Sequence, residues 1–304
     1  VSRTVTAGLD GSRESLAAAD WAAREALLRG ATLRLVHAWG QPPRVSAATL
    51  AGATVPLPDR RWSVRLLAKA EVILKRRHPG LRIVTEPLAG EPVAALVTAA
   101  QDTELLVLGS RGLGRAAGIL LGSVGQGVVA RVGRPVVLVR DGAPGISPFA
   151  GSEAPSEAAA RHDVVLGLDL ERPHEAVLEF AFDAASRRAA ALRVVHGGSP
   201  SGHPAPDTAA GTRDGGEAEE AADRVQRRSM DLLRPWREKY PGVEVTEQTV
   251  IGHPGAHLAD VSRDAALLVV GRAGRPLPVG THIGPVTQAV LRHAAVPVAV
   301  VPHD

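Results

Sequence analysis

Short apolar runs alternate with longer segments of helical period along the whole chain. Residues 4–9 form the first run, closed by Asp10-Gly11-Ser12. A segment over 13–28 follows, with Leu16, Ala19, Ala23 and Leu27 on one predicted helical face, and Gly30 ends it. The pattern then predicts a strand over 32–38, a loop rich in Pro, Ala and Gly over 41–58, and a helix over 59–77 stopped by Pro79-Gly80. A strand over 81–86 comes next. Gly90-Glu91-Pro92 opens a helix through Ala100, with Val93, Leu96, Val97 and Ala100 inward. A strand over 105–108, a glycine-rich loop, a helix from Ser123 to Gly133 and a buried strand over 135–140 complete the unit. Strands alternating with helices predict an α/β fold with a parallel sheet and right-handed crossovers.

The unit occurs twice. Residues 141–162 read as a linker of turn formers and small residues, and the pattern then restarts. Residues 164–168 with Asp169 repeat the first strand and Asp10. Residues 192–196 repeat the second strand, with His196-Gly197 in place of His37-Ala38. A polar loop over 198–218 precedes a helix over 219–239, which stops at Pro241-Gly242. Residues 267–270 lead into Gly271, Gly274 and Gly284 with the spacing of Gly109, Gly112 and Gly122, and 297–301 match 135–139. From Pro79-Gly80 onward the offset is 162 residues, and before it 159, so the copies differ by three residues in the loop after strand two. The expected organisation is a first domain over 1–140, a linker over 141–162 and a second domain over 163–304.

Length and composition agree with two ordinary domains. Hydrophobic residues make up 45% of the 304, enough for two cores. The absence of cysteine excludes disulfides, thiolate nucleophiles and Cys-ligated zinc. Net charge is only +3, aromatics are 3% and the arginines read as scattered, which argues against nucleic acid as a partner. No apolar run approaches the ~20 residues that span a bilayer. The N-terminal residues run straight into a strand without a signal-peptide pattern. A soluble, cytoplasmic protein with no membrane partner is the expectation.

The chemistry centres on Gly109-x-x-Gly112, nine residues, then Gly122-Ser123. Glycines there let backbone approach a ligand. Ser123 reads as the N-cap of the following helix and Gln126 as its capping-box partner. A helix N-terminus beside a glycine loop is an anion site, because unpaired N–H groups and the positive dipole end point at it. The stretch reads as a cradle for a nucleoside triphosphate. Sharper motifs fail. A Walker A loop needs lysine, and neither glycine loop has one. Gly112-Leu113-Gly114 has its third glycine at Gly118, too late for a dinucleotide fingerprint. Ser110 and Ser123 lack the glycine two residues before that a hydrolase elbow needs, and His174-Glu175 lacks a second zinc-ligand histidine. No paired carboxylates or Ser/His/Asp set emerges, so no catalytic residue is assigned.

Motif, spacing, Asp10 at the end of strand one, Val36-His37-Ala38 at the end of strand two and the duplication together resemble the universal stress protein family, in its tandem bacterial form. The resemblance implies a five-stranded parallel sheet of order 3-2-1-4-5 in each domain, with helices on both faces and ATP, with Mg, at the strand carboxyl ends. Residue by residue, it implies a first site of Gly8, Asp10, Ala38, Gly109, Ser110, Gly112, Gly114, Gly122, Ser123 and Val124, to which position adds Arg111 and Arg115 as charge partners. Asp10 would approach the ribose or a metal, and the Ala38 backbone the adenine edge. The start of the helix would hold the β- and γ-phosphates. Asp10 also reads as a helix N-cap, but its place at the end of strand one favours the ligand role. His37 and Gly30 read as structural, and Trp21 and Trp39 as core or rim.

A second site would comprise Gly167, Asp169, Gly197, Gly271, Arg272, Gly274, Gly284 and Val286. It departs from the pattern, because Pro285 replaces Ser123 and Leu170 replaces Gly11. Proline suits a helix start but removes an N–H and a hydroxyl from the cradle, so weaker binding is expected there. The resemblance further implies an internal pseudo-dimer through antiparallel pairing of 135–140 with 297–301, and a homodimer of chains. The leading reading is an ATP-binding regulator of stress, dormancy or growth arrest. A slow ATPase or nucleotidyl transferase, and a nucleotide-free scaffold, stand as alternatives.

Overall fold

The computed structural model describes residues 3–40, 59–110, 122–140, 163–197, 215–250, 254–273 and 283–303, without the side chains of 215–222. The first half contains β1 (Thr4–Gly8), α1 (Arg13–Arg29), β2 (Thr32–Trp39), α2 (Arg60–Arg77), β3 (Ile83–Ala89), α3 (Pro92–Ala99), β4 (Leu105–Gly109), α4 (Ser123–Arg131) and β5 (Val136–Val139). The second contains β6 (Val164–Leu168), α5 (Glu175–Arg188), β7 (Leu192–Gly197), α6 (Gly215–Lys239), β8 (Val245–Val250), α7 (Pro254–Val261), β9 (Leu267–Ala273), α8 (Pro285–His293) and β10 (Val298–His303). Each half has the expected parallel order 3-2-1-4-5, and the two join into one sheet, β3-β2-β1-β4-β5-β10-β9-β6-β7-β8.

The join is β5 against β10, antiparallel, with Val137 opposite Ala299. These are equivalent positions of the two copies, so a local two-fold axis passes between them. One apolar layer on α1, α2, α5 and α6 and another on α3, α4, α7 and α8 each run through both halves. Strands covered on both faces must be apolar along their length, and Val136, Val137, Leu138 and Val139 are all buried.

Local chemistry sets the helix bounds. Ser12 caps α1 by accepting from the Ser15 N–H at 3.1 Å, and Gly30 closes it in the left-handed region. Asp10 is therefore not the cap. Ala17, Ala18, Ala19, Ala22, Ala23 and Ala26 are wholly buried, whereas Leu27 is 48% exposed, contrary to the predicted face. Small side chains let α1 lie close to the sheet, and the leucine falls on the far side. The equivalent of Gly30 is Ala189, which ends α5 at φ 48°. A Cβ in that region costs about 1 kcal/mol, so Ala189→Gly should raise stability by roughly that amount in a denaturant titration.

Other boundaries moved. Ser123 is not an N-cap. Gly122 is, no side chain among the described residues caps α4, and the Gln126 N–H makes the ordinary helical bond to the Gly122 carbonyl. β3 begins and ends later than 81–86, because it follows β2 in register out to Trp39 opposite Ala89. β9 and β10 pair with each other as far as Ala273 and His303, beyond the predicted ends. α6 starts at Gly215, inside the predicted polar loop.

Candidate functional site

Strand order reverses between β1 and β4, which opens a crevice at their carboxyl ends, the ordinary ligand position in an open α/β sheet. At β1, Gly8 lies beside β4, where a Cβ would come 2.5 Å from Leu108 Cδ2. Asp10 is exposed, and its Oδ1 accepts from the Ser12 N–H at 2.9 Å and the Ser12 hydroxyl at 2.5 Å. The Asp10 N–H donates to Ser15 Oγ at 3.3 Å. Gly11 takes φ 87° to make this turn possible. The carboxylate is thus fixed at the crevice by its own loop.

β2 brings His37 and Ala38. His37 is 5% exposed, its Nδ1 lies 2.9 Å from Ser63 Oγ, and its ring meets Trp62 edge-on at 4.9 Å. Burial pushes its pKa down, against the pull of the Asp10 carboxylate, so the imidazole is neutral at neutral pH. This is the structural histidine expected. Trp62 also covers Gly11, 3.3 Å from a Cβ built there. Sequence reasoning passed over Trp62 and Ser63, because α2 follows a long loop and nothing in its period marks a site.

β4 and α4 supply the rest. At Gly109 a Cβ would stand 2.6 Å from both Glu14 C and Ser15 N, so α1 itself requires glycine. Ser110 is buried and its hydroxyl donates to the Val139 carbonyl at 3.2 Å, tying it to β5. α4 opens at Gly122, with Ser123 exposed and Val124 half-buried behind it. Its first N–H groups have no partner within the helix. Arg111, Gly112, Gly114 and Arg115 lie outside the described residues. Asp10 and Ala38 stand at the carboxyl ends of β1 and β2, and α4 leads from the carboxyl end of β4 back to parallel β5, so its start belongs to the same edge of the sheet. Among the described residues no group of three His, Asp or Glu could hold a metal.

The second crevice is built differently. Asp169 Oδ1 accepts from the Glu171 and Arg172 N–H groups at 2.9 and 3.2 Å. Gly167 lies against Leu258, and Gly197 and Gly284 face open space. His303 fills the space over Gly271, 2.9 Å from a Cβ there, and packs on His174 at 4.6 Å. Pro285 is the first residue of α8, Val286 is 36% exposed, and the Thr287 hydroxyl donates to the Gly271 carbonyl at 2.9 Å. In the first copy Gly125 stands in place of Thr287. Among the described residues, buried His196 has no partner for Nδ1, unlike His37. Arg272 is buried, and its guanidinium donates to the Val132 carbonyl at 2.8 Å, capping α4 of the other half. Arg140 reciprocates at the Arg292 carbonyl of α8, at 3.3 Å, and burial pushes its pKa down to about 10. Gly274 lies outside the described residues. A separate cavity of about 620 Å³, lined by Arg3, Leu27, Thr32 and Arg82, sits at the amino ends of the strands, away from both crevices.

A duplicated, doubly wound α/β architecture is what the fold defines. The universal stress protein family model matches residues 2–140 and 160–302, and the chain belongs to that family. The Mycobacterium tuberculosis universal stress protein Rv2005c is 33% identical over 97% of this chain and 96% of its own. A universal stress protein structure from Archaeoglobus fulgidus superposes with TM-score 0.66 at 18% identity, covering 99% of this chain and 98% of its own. A universal stress protein solved in complex with cAMP is 32% identical and covers 45% of this chain and 96% of its own, with TM-score 0.35. Among the described residues no helix is long and apolar enough to cross a membrane.

Proposed function

We propose that the protein is an ATP-binding regulator of stress, dormancy or growth arrest, and that the first crevice is its principal site. Membership in the family supports the regulatory role. What supports the binding role is the start of α4, whose first N–H groups have no partner within the helix, on the same edge of the sheet as the Asp10 loop. The N–H groups of Ser123 and Val124, with the Ser123 hydroxyl, would hold the β- and γ-phosphates. The Ala38 backbone would meet the adenine edge, and Asp10 the ribose or Mg. Gly8, Gly109 and Ser110 shape the crevice floor, and the Arg111–Arg115 stretch completes it on the sequence pattern alone. Nucleotide occupancy would then favour one surface or conformation over another.

The second crevice would bind ATP more weakly. Pro285 removes one N–H and one hydroxyl, and Thr287 is already engaged with Gly271. Two lost hydrogen bonds to a charged phosphate cost on the order of 2–5 kcal/mol.

The test is the nucleotide content of freshly purified, denatured protein, beside Gly122→Glu. Gly122 has φ −58° and ψ 152°, which any residue adopts, so the variant should fold. Its carboxylate would occupy the anion site. About one ATP per chain, absent in the variant, is the expected result. Equal occupancy of both crevices would defeat the asymmetry. Bound ADP in place of ATP would point to hydrolysis. A flat ATP titration of empty protein would defeat the binding role itself.

A further inference from the structure

The chain's 35 Lys and Arg residues are spread along it, but one helix carries them almost without acidic partners. α2 carries seven basic residues and one acidic residue over its 18 positions. Arg60, Arg61, Arg65, Lys69 and Arg76 are exposed and make no ion pair among the described residues, whereas Lys75 pairs with Glu71 at 2.7 Å. The preceding loop, 41–58, contains no Asp or Glu that could neutralise them.

This concentration works against the helix. Arg61, Arg65 and Lys69 are spaced i, i+4, i+8, and like charges at that spacing destabilise a helix. Arg60 and Arg61 sit in the first turn, at the positive end of the dipole, with the capping Asp59 as the one acidic residue there among the described residues. The fold does not demand it either. α6 holds the same place in the second copy with six basic and six acidic residues. The repeat is an internal control, and it leaves the charge of α2 without a structural cause.

The same face is apolar along one ridge. Val64 and Val72 are 44% and 53% exposed, and with exposed Ala68 between them they form an i, i+4, i+8 line beside Arg61, Arg65 and Lys69. Such a ridge packs into the groove of another helix. An apolar strip rimmed by cations has the anatomy of a protein interface, in which arginine is favoured. A phosphate backbone offers nothing to the valines, and Val and Ala are too small to anchor a helix in a bilayer as Leu, Phe or Trp do.

We propose that the outer face of α2 is a docking surface for an acidic amphipathic helix of a partner protein. The valine ridge would pack against the partner's apolar stripe, and the flanking guanidinium and ammonium groups would meet its carboxylates. Trp62, on the same helix, reaches from this face to Gly11 and His37 at the first crevice.

The probe is a labelled synthetic helical peptide with leucines at i, i+4 and i+8 and glutamates elsewhere, titrated by fluorescence anisotropy against the full chain. A peptide of the same composition in scrambled order, a DNA duplex and phosphatidylserine vesicles are run beside it. The ordered peptide should bind in preference to all three, more weakly as salt is raised. Arg61→Glu/Arg65→Glu/Lys69→Glu should weaken binding at least about tenfold, and Val64→Ser/Val72→Ser should also weaken it. Arg227→Glu/Arg228→Glu on α6 should leave it unchanged. All these positions are exposed, and unchanged circular dichroism would show intact folding. No peptide binding, equal loss in the α6 variant, or tighter binding of DNA or vesicles that ignores the valines would overturn the proposal.

Discussion

Glu25→Ala should lower the unfolding free energy by about 3–5 kcal/mol, the range for breaking a buried ion pair from one side. Glu25 is 1% exposed and lies where the two halves meet. It accepts from Arg29 Nε at 2.6 Å and from Arg188 of the other half. Arg29 also reaches Asp183 at 3.4 Å and lies over the Phe180 ring, and Arg188 lies over Trp21. Removing the carboxylate deprives the largely buried Arg188 of its ion pair and leaves Arg29 only its longer contacts with Asp183 and Glu104. Denaturant titration of parent and variant measures the loss. Burial alone would raise the Glu25 pKa, but the charges of Arg188 and Arg29 outweigh it and hold the carboxyl below the ordinary range. A folded pKa below the unfolded one gives stability that is present above the unfolded value. It is lost as pH falls through the folded value. Asp20 is depressed likewise, against its own burial, by His78, Arg24 and Arg77, so the parent loses stability in acid at two places. Glu25→Ala should show a shallower loss below about pH 4. An equal slope would show that Glu25 does not contribute in that window.

Gly109→Val should be comparably severe. The obstacle at Gly109 is backbone, Glu14 C and Ser15 N at 2.6 Å, and backbone cannot rotate aside. The first turn of α1 must lift from β4 and carry with it the Asp10, Ser12 and Ser15 contacts that fix the crevice rim. Overpacking costs typically 1–3 kcal/mol and more where nothing can relax, so a loss of about 3 kcal/mol is expected, together with loss of nucleotide retention. Gly133→Ala is the control, because no described residue stands within 4 Å of a Cβ there. A Gly109 variant as stable as the parent would show that α1 is more loosely seated than the distances indicate.

Much of the architecture was legible because it rests on periodic and repeated signals. Ten strands, their order and the β5–β10 join follow from two alternating units, the family they resemble and two apolar end strands. What the pattern could not show depends on contacts between distant segments. Leu27 fits the helical period but falls outside, because α1 is seated by alanines. Arg272 suits a phosphate by position, yet the Val132 carbonyl of the other half holds it. Ser123 resembles a cap, but the chain enters α4 one residue earlier, which leaves its hydroxyl exposed. Trp62, Ser63 and Thr287 reach the crevices from helices whose register only the packed structure fixes. The glycines were read for their freedom, and Gly109 proves to be required for the closeness of α1.

The position of the join has a consequence for how the two halves can change. In a dimer of identical subunits, any residue at the two-fold axis meets its own copy, so an acid there faces an acid. Here Arg29 and Arg188 are equivalent positions, as are Trp21 and Phe180, but the equivalent of Glu25 is Ala184. One carboxylate serves both arginines, an arrangement a self-paired interface cannot hold. Covalent fusion has made the axis approximate, and mutations on either side no longer arrive in pairs. The same licence applies at the crevices, where Ser123 and Gly125 stand in one copy and Pro285 and Thr287 in the other. Each half can drift toward its own task while the other keeps the fold.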